Sequence, residues 1–252
     1  MTTTTDAPIG KPSFSEARAR LKSAQKSSKG AAAYSRYVNR PLGRVFAAAA
    51  ASLGLTPNVV TVISALFTFA GLALVVLAPP TVPTALAVTV ALVVGYALDS
   101  ADGQVARLRG GGSLAGEWLD HMVDALKTAT IHLAVLISWF RFTSLPDGLL
   151  LVPLGFSAVA VVIFFGLILT DFLRRLHRGS SEMILVRPGR TSLLYSLAVL
   201  PFDYGLLCLS FLLFWWTPGF AVVYTALFAA NLLVVPIVWA RWLREMRRLD
   251  RA

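Results

Sequence analysis

Four aspartates recur at short, regular intervals in a stretch that is otherwise apolar enough to lie in a membrane. Together with four further residues they form the pattern D-x2-D-G-x2-A-R-x8-G-x3-D-x3-D: Asp99, Asp102, Gly103, Ala106, Arg107, Gly116, Asp120 and Asp124. Eight such matches at fixed offsets would arise by chance about once in 10⁹ to 10¹⁰ start positions. Ionisable groups at membrane depth are costly and usually mark a functional site.

Carboxylates this close to one another repel, and several would take up protons unless cations neutralised them. A set of oxygen ligands favours Mg²⁺ or Mn²⁺. Four carboxylates can hold two such ions with open positions, and those positions suit the oxygens of a diphosphate. The guanidinium of Arg107 can pair with a phosphate in a fork geometry. Gly103, Ala106 and Gly116 leave room for a ligand or a neighbouring helix to approach.

Helices explain how these residues meet. Asp99, Asp102, Gly103, Ala106 and Arg107 recur at steps of three and four, so on a helix they share one face. The second half of the pattern repeats these steps on the next helix, and its face continues with Lys127. A short turn joins the two helices, which predicts antiparallel neighbours whose carboxylates converge near one end.

The composition is that of an integral membrane protein. Of 252 residues, 56% are hydrophobic and 14% are charged, and the mean hydropathy is +0.70. A bilayer-spanning helix needs about 20 apolar residues, and an open sheet would expose unpaired backbone groups to lipid. We therefore predict an all-α bundle of six membrane-spanning helices. The expected spans are 58–78, 83–106, 115–140, 148–173, 191–216 and 219–240.

Basic residues predict the orientation of the bundle, because cytoplasmic segments collect Lys and Arg. With six spans, 21 of the 23 basic residues fall on one side; Arg141 lies near the other side and Lys127 lies inside the third span. Both termini and the aspartate site are therefore expected to be cytoplasmic, in a multi-pass protein of the plasma (inner) membrane. We attribute the net charge of +10 to this topology and to anionic lipid, and not to nucleic acid binding.

The chain before the first span divides into two parts. Residues 1–30 are polar and are expected to form a disordered cytosolic tail, without the apolar stretch of a signal peptide. Residues 31–53 alternate apolar and basic positions, which predicts an amphipathic helix on the cytosolic membrane surface. This helix either anchors the protein or closes the active site. Residues 31–252 are expected to form a single domain.

The stretch DSADGQVARLRGGGSLAGEWLDHMVD, residues 99–124, resembles the signature of the CDP-alcohol phosphotransferases at every fixed position. The resemblance extends to LTPNVVT at 55–61 and to the six-span layout. It implies cleavage of a CDP-linked alcohol in the membrane, with a hydroxyl acceptor attacking the β-phosphorus and CMP leaving. The resemblance is also compatible with a homodimeric protein.

The resemblance further implies roles for individual residues. Asp99, Asp102 and Asp120 would bind the metal ions and CDP, and Asp124 would be a further metal ligand or the general base. The remaining residues expected to border the CDP moiety are Asn58, Thr61, Gly103, Ala106, Arg107 and Gly116.

Other residues bear on the choice of substrate. His121 makes GEWLDHMVD similar to the GELFDHGCD of choline and ethanolamine phosphotransferases, so it is either a proton acceptor or a helix-contact residue. Lys127 is either an acceptor-binding residue or a counter-ion to Asp124. Arg187 and Arg190 are similar to basic residues that bind a phosphorylated polyol in bacterial phosphatidylinositol phosphate synthases, although Val186 stands where those enzymes carry Glu.

These features favour a phosphotransferase that uses CDP-diacylglycerol and a small acceptor, such as a polyol or polyol phosphate, in phospholipid biosynthesis. The first alternative is transfer of a choline- or ethanolamine-type headgroup from a soluble CDP-alcohol to a lipid hydroxyl. A different class of function, divalent cation transport, would also use acidic groups in a membrane. Against transport, the carboxylates lie on two adjacent helices near one surface, without a polar path through the far half of the spans.

Overall fold

The computed structural model describes residues 11–23, 32–178 and 199–251. No strand occurs in these ranges, so the all-α prediction is confirmed for them. The helices are α1 (Phe14–Ser23), α2 (Arg40–Leu53), α3 (Pro57–Leu77), α4 (Val82–Leu108), α5 (Leu114–Phe142), α6 (Leu151–Arg178), α7 (Tyr204–Ser210) and α8 (Thr217–Leu249).

Five helical segments are long and apolar enough to cross a membrane. They comprise α3, α4, α5, α6 with its preceding turn, and α8, and they match the predicted spans one to four and six. The predicted fifth span lies partly outside the described residues. Its described part contains α7 and short 3₁₀ turns, and the apolar helical segment there is Tyr204–Leu213. The count of six spans therefore stays a prediction.

Local signals place the ends of the site helices. Thr56 Oγ1 accepts a hydrogen bond from Val59 N at 3.3 Å, and Pro57 occupies the first turn of α3, where its missing N–H costs little. Ser113 caps α5 in the same way, accepting from Gly116 N at 3.0 Å. Gly110 and Gly111 have φ values of 90° and 136°, which side-chain-bearing residues rarely adopt. The turn between the two aspartate helices is thus set by its own sequence.

Small residues let α2 and α3 approach α4 closely. A Cβ added to Gly43 in α2 would lie 2.8 Å from Ser100 Oγ, and one added to Gly95 in α4 would lie 3.2 Å from Ser64 O. Larger side chains at these glycines would push the helices apart. The aspartate-bearing end of α4 is consequently held on two sides by neighbouring helices.

The expected disordered tail is corrected in part, because residues 14–23 of it form helix α1. Ala17 and Leu21 lie four positions apart, so they share one face and are both buried beside α2. Ser13 and Glu16 form a reciprocal cap: Ser13 N donates to Glu16 Oε2 at 2.8 Å, and Glu16 N donates to Ser13 Oγ at 3.3 Å.

The expected amphipathic helix is present as a π-helical turn, Ser35–Asn39, followed by α2. Its alanine-rich face packs against α1 and α4, whereas Tyr37, Val38, Leu42 and Val45 are exposed. Tyr34, just before the π-helical turn, is buried and stacks on Tyr96. Placement of this helix on the cytosolic membrane surface stays a prediction.

Side-chain contacts bring several helix ends to one end of the bundle. The beginning of α3 contacts the end of α4 through Thr61 and Asp102. The beginning of α5 contacts the end of α6 through Glu117 and Arg175, and α6 contacts α8 there through Arg174 and Glu245. Arg174 and Arg175 therefore lie at the same end of the bundle as the beginning of α5.

Candidate metal and nucleotide site

Three carboxylates meet where α4 ends and α5 begins. Asp99 on α4 and Asp120 and Asp124 on α5 each contribute one oxygen, and these oxygens lie within 4.8 Å of one another. All three side chains are half-buried. The donor set consists only of carboxylate oxygens, which fits Mg²⁺ or Mn²⁺ and does not fit a metal that prefers sulfur or imidazole.

The fourth aspartate lies apart from this group. Asp102 is buried and its Oδ2 accepts a hydrogen bond from Thr61 Oγ1 at 2.6 Å. Its Oδ1 accepts from the backbone N–H of Gly103 at 2.5 Å. Both oxygens thus have partners within the protein. A role for Asp102 as a metal ligand stays a prediction, and the contact with Thr61 gives that threonine a defined place at the site.

We expect Thr61→Val to destabilise this part of the site. Valine keeps the shape of threonine but leaves the buried Oδ2 of Asp102 without its hydroxyl donor, at a cost of about 1.5–3 kcal/mol. Thermal unfolding in detergent should show a lower Tm for Thr61→Val than for Thr61→Ser, which retains the hydroxyl. Equal Tm values for the two variants would contradict a structural contribution of this hydrogen bond.

Lys127 lies inside the carboxylate group. Its Nζ is 2.5 Å from Asp99 Oδ1 and 3.2 Å from Asp124 Oδ1, and it donates to Ser64 Oγ at 3.2 Å. The Ser64 hydroxyl in turn donates to Gly95 O at 2.8 Å. Lys127 is only 5% exposed. This geometry favours the counter-ion interpretation; acceptor binding by Lys127 stays a prediction.

The residues expected to border CDP lie beside the carboxylates. We call this surface the open rim; its residues are Asn58, Thr61, Gly103, Ala106, Arg107 and Gly116. A Cβ added to Gly103 would have one described neighbour within 4 Å, the Arg107 guanidinium at 3.6 Å. A Cβ added to Gly116 would lie 3.0 Å from Asn58 Oδ1, so Asn58 on α3 reaches the beginning of α5. Ala106 lies next to Arg107 and both are half-buried. Apart from Arg107, no described residue thus crowds the Cβ position of Gly103.

Beside this rim lies a polar network that the sequence pattern did not indicate. His121 Nε2 is 3.7 Å from Glu117 Oε1, and Glu117 Oε1 is 2.6 Å from an Arg175 terminal nitrogen. Arg175 Nε is 3.0 Å from Asp171 Oδ2. One feature of the sequence could have indicated this network: Glu117 and His121 lie four positions apart at the end of a predicted span. Two predicted acceptor residues, Arg187 and Arg190, lie outside the described residues.

The profile of the CDP-alcohol phosphatidyltransferase family matches residues 54–235, which include the whole aspartate pattern. The chain belongs to this family. Its members are CDP-alcohol phosphotransferases, so the resemblance seen in residues 99–124 is confirmed. No curated protein matches the chain in full-sequence comparison.

Solved structures of a phosphatidylinositol phosphate synthase from Mycobacterium tuberculosis also resemble this member of the CDP-alcohol phosphatidyltransferase family. The complex with manganese and citrate is 21% identical, with a TM-score of 0.49, over 84% of this chain and 88% of that one. The structure with CDP-DAG bound is 21% identical, with a TM-score of 0.46, over 84% and 93%. This identity is too low to carry over a substrate.

Proposed function

We propose that the protein transfers the phosphatidyl group of CDP-diacylglycerol to the hydroxyl of a small acceptor, a polyol or polyol phosphate, and releases CMP in phospholipid biosynthesis. One observation carries this proposal: three carboxylate oxygens lie within 4.8 Å of one another at the ends of two helices of membrane-spanning length. The family supplies the reaction class. The position at a helix end suits a site where a nucleotide meets a lipid.

Asp99, Asp120 and Asp124 would hold the divalent ion, Mg²⁺ or Mn²⁺, and Asp102 would complete a set for two ions. The bound metal would neutralise charge on the diphosphate and on the leaving CMP. The open rim at Gly103 would admit the donor, and Arg107 would pair with a phosphate oxygen. Asn58 and Thr61 lie on the α3 side of the same rim.

In the transfer, the acceptor hydroxyl oxygen forms a bond to the β-phosphorus of the donor, and the bond from that phosphorus to the bridging oxygen breaks. CMP leaves with the bridging oxygen and its electron pair. Asp124 would take the hydroxyl proton, with His121 as the alternative acceptor on the same helix.

We expect purified protein with Mn²⁺ or Mg²⁺ to release CMP from CDP-diacylglycerol when a suitable acceptor is added. The assay crosses CDP-diacylglycerol and CDP-choline, as donors, with myo-inositol 1-phosphate, glycerol 3-phosphate, serine and diacylglycerol, as acceptors. Release from CDP-choline with diacylglycerol alone would reverse the proposed substrate polarity. Absence of CMP in every combination would contradict the proposed function.

A further inference from the structure

Buried polar atoms without hydrogen-bond partners concentrate at one place between α5 and α6. Among the described residues, nine buried side-chain atoms lack such a partner. Four of the nine belong to one group: His121 Nε2, both carboxylate oxygens of Asp171, and Arg175 Nε. Unsatisfied buried polar atoms are uncommon in native proteins, so such a group requires hydrogen-bond partners from water or from a ligand.

The ion pairs in this network do not satisfy these atoms. Arg175 Nε is 3.0 Å from Asp171 Oδ2, but its N–H is not directed at that oxygen, so the contact lacks hydrogen-bond geometry. The 3.7 Å between His121 Nε2 and Glu117 Oε1 is too long for a hydrogen bond. Asp171 is 1% exposed, so bulk solvent does not solvate its carboxylate.

The group lies beside the candidate metal site. Successive helix residues are rotated by about 100°, so Glu117 and His121 occupy the face of α5 next to the one that carries Asp120 and Asp124. Arg175 is 2.6 Å from Glu117, which brings the end of α6 to that face. A molecule bound by this group would therefore lie beside the face of α5 that carries Asp124.

The chemistry of the group selects hydroxyls. Asp171 offers hydrogen-bond acceptors and Arg175 offers a donor close to them. A hydroxyl group can donate to the Asp171 carboxylate and accept from the Arg175 guanidinium. Two carboxylates, of Glu117 and Asp171, face the single guanidinium of Arg175, so the network contains an excess of acidic over guanidinium groups. This excess disfavours a phosphate there and favours an uncharged polyol portion.

We propose that Asp171, Arg175 and His121 form a subsite that binds the hydroxyl groups of the acceptor alcohol next to Asp124. This inference rests on the proposed transfer to a small acceptor and adds to it the side chains that recognise the acceptor's uncharged portion. A phosphate on the acceptor binds outside this subsite.

Steady-state kinetics of Asp171→Asn test the subsite, with CDP-diacylglycerol as donor and myo-inositol 1-phosphate as acceptor. If that pair is inactive in the wild type, glycerol 3-phosphate replaces the acceptor. Asparagine keeps the size of the side chain but removes the charge and one acceptor. We expect the acceptor KM to rise at least about tenfold, because a polar site rejects a mismatched partner strongly. The donor KM and the Mn²⁺ affinity, measured by electron paramagnetic resonance, should stay within twofold.

Glu245→Gln is the matched control, because it weakens a different ion pair of α6, the one between Arg174 and Glu245. Arg174 Nε and Nη2 donate to Glu245 Oε1 and Oε2, each at 2.7 Å. It should leave the acceptor KM unchanged. If Asp171→Asn does not fold, His121→Gln tests the same subsite: a binding role raises the acceptor KM, whereas a role as base alone lowers kcat.

An unchanged acceptor KM in the folded variant would overturn the subsite while leaving the transfer reaction intact, and a role in folding alone would lower Tm without moving KM. Activity with serine or diacylglycerol as the only acceptor would also overturn it, since each of these molecules has a single hydroxyl. A wild-type protein that releases no CMP in any combination removes the proposed function and this inference together.

Discussion

Replacing Asp124 with asparagine is expected to reduce CMP release by about 10²- to 10⁴-fold, the range that loss of a general acid–base group produces. Asp124 lies within the group of three carboxylates, and in the proposed mechanism it takes the proton of the acceptor hydroxyl. The variant Asp120→Asn should cause a similar loss through weaker metal binding. CMP release at saturating Mn²⁺ measures both effects.

Asp147→Asn provides the control, since Asp147 is an exposed acid at the beginning of a different helical segment. It should retain wild-type activity. Electron paramagnetic resonance measures Mn²⁺ binding directly: each variant removes one carboxylate of the proposed metal site, so both should bind the ion more weakly than the wild type. Wild-type rates of CMP release in both variants would rule out the carboxylate site as the catalytic centre.

Replacing Lys127 with methionine is expected to destabilise the metal-free protein by about 3–5 kcal/mol, the usual cost of removing one partner from a buried ion pair. Lys127 contacts both Asp99 and Asp124, and methionine would leave their charges without this counter-ion. Thermal unfolding without divalent ions should therefore show a markedly lower Tm. Addition of Mn²⁺ should reduce the difference from the wild type, because the ion replaces the missing positive charge.

Arg141→Met is the matched comparison for Lys127→Met. Arg141 is an exposed cation on the same helix, and it donates to Val76 O at 3.0 Å near the other end of the bundle. Its loss should lower Tm only slightly, with no dependence on Mn²⁺. If Mn²⁺ restored stability equally in both variants, Lys127 would not be acting as a counter-ion within the metal site.

Much of the fold could be predicted because membrane helices carry their own signals. Long apolar runs indicated the five helical segments of membrane-spanning length, and Thr56 and Ser113 mark where two of them begin through local capping. The prediction was wrong for residues 14–23, where helix α1 forms. Its stability depends on burial of Ala17 and Leu21 beside α2, and a polar composition does not reveal such a distant contact.

The sequence by itself determined the family and the reaction class, through its signature residues. It also predicted the meeting of Asp99 with Asp120 and Asp124, because helical periodicity and a short turn constrain residues that are close along the chain. Tertiary structure alone decided that Asp102 pairs with Thr61, that Lys127 lies among the carboxylates, and that Arg175 reaches Glu117 on α5. These contacts join residues on separate helices. Their formation depends on how the helices pack and rotate against one another, which local spacing does not specify.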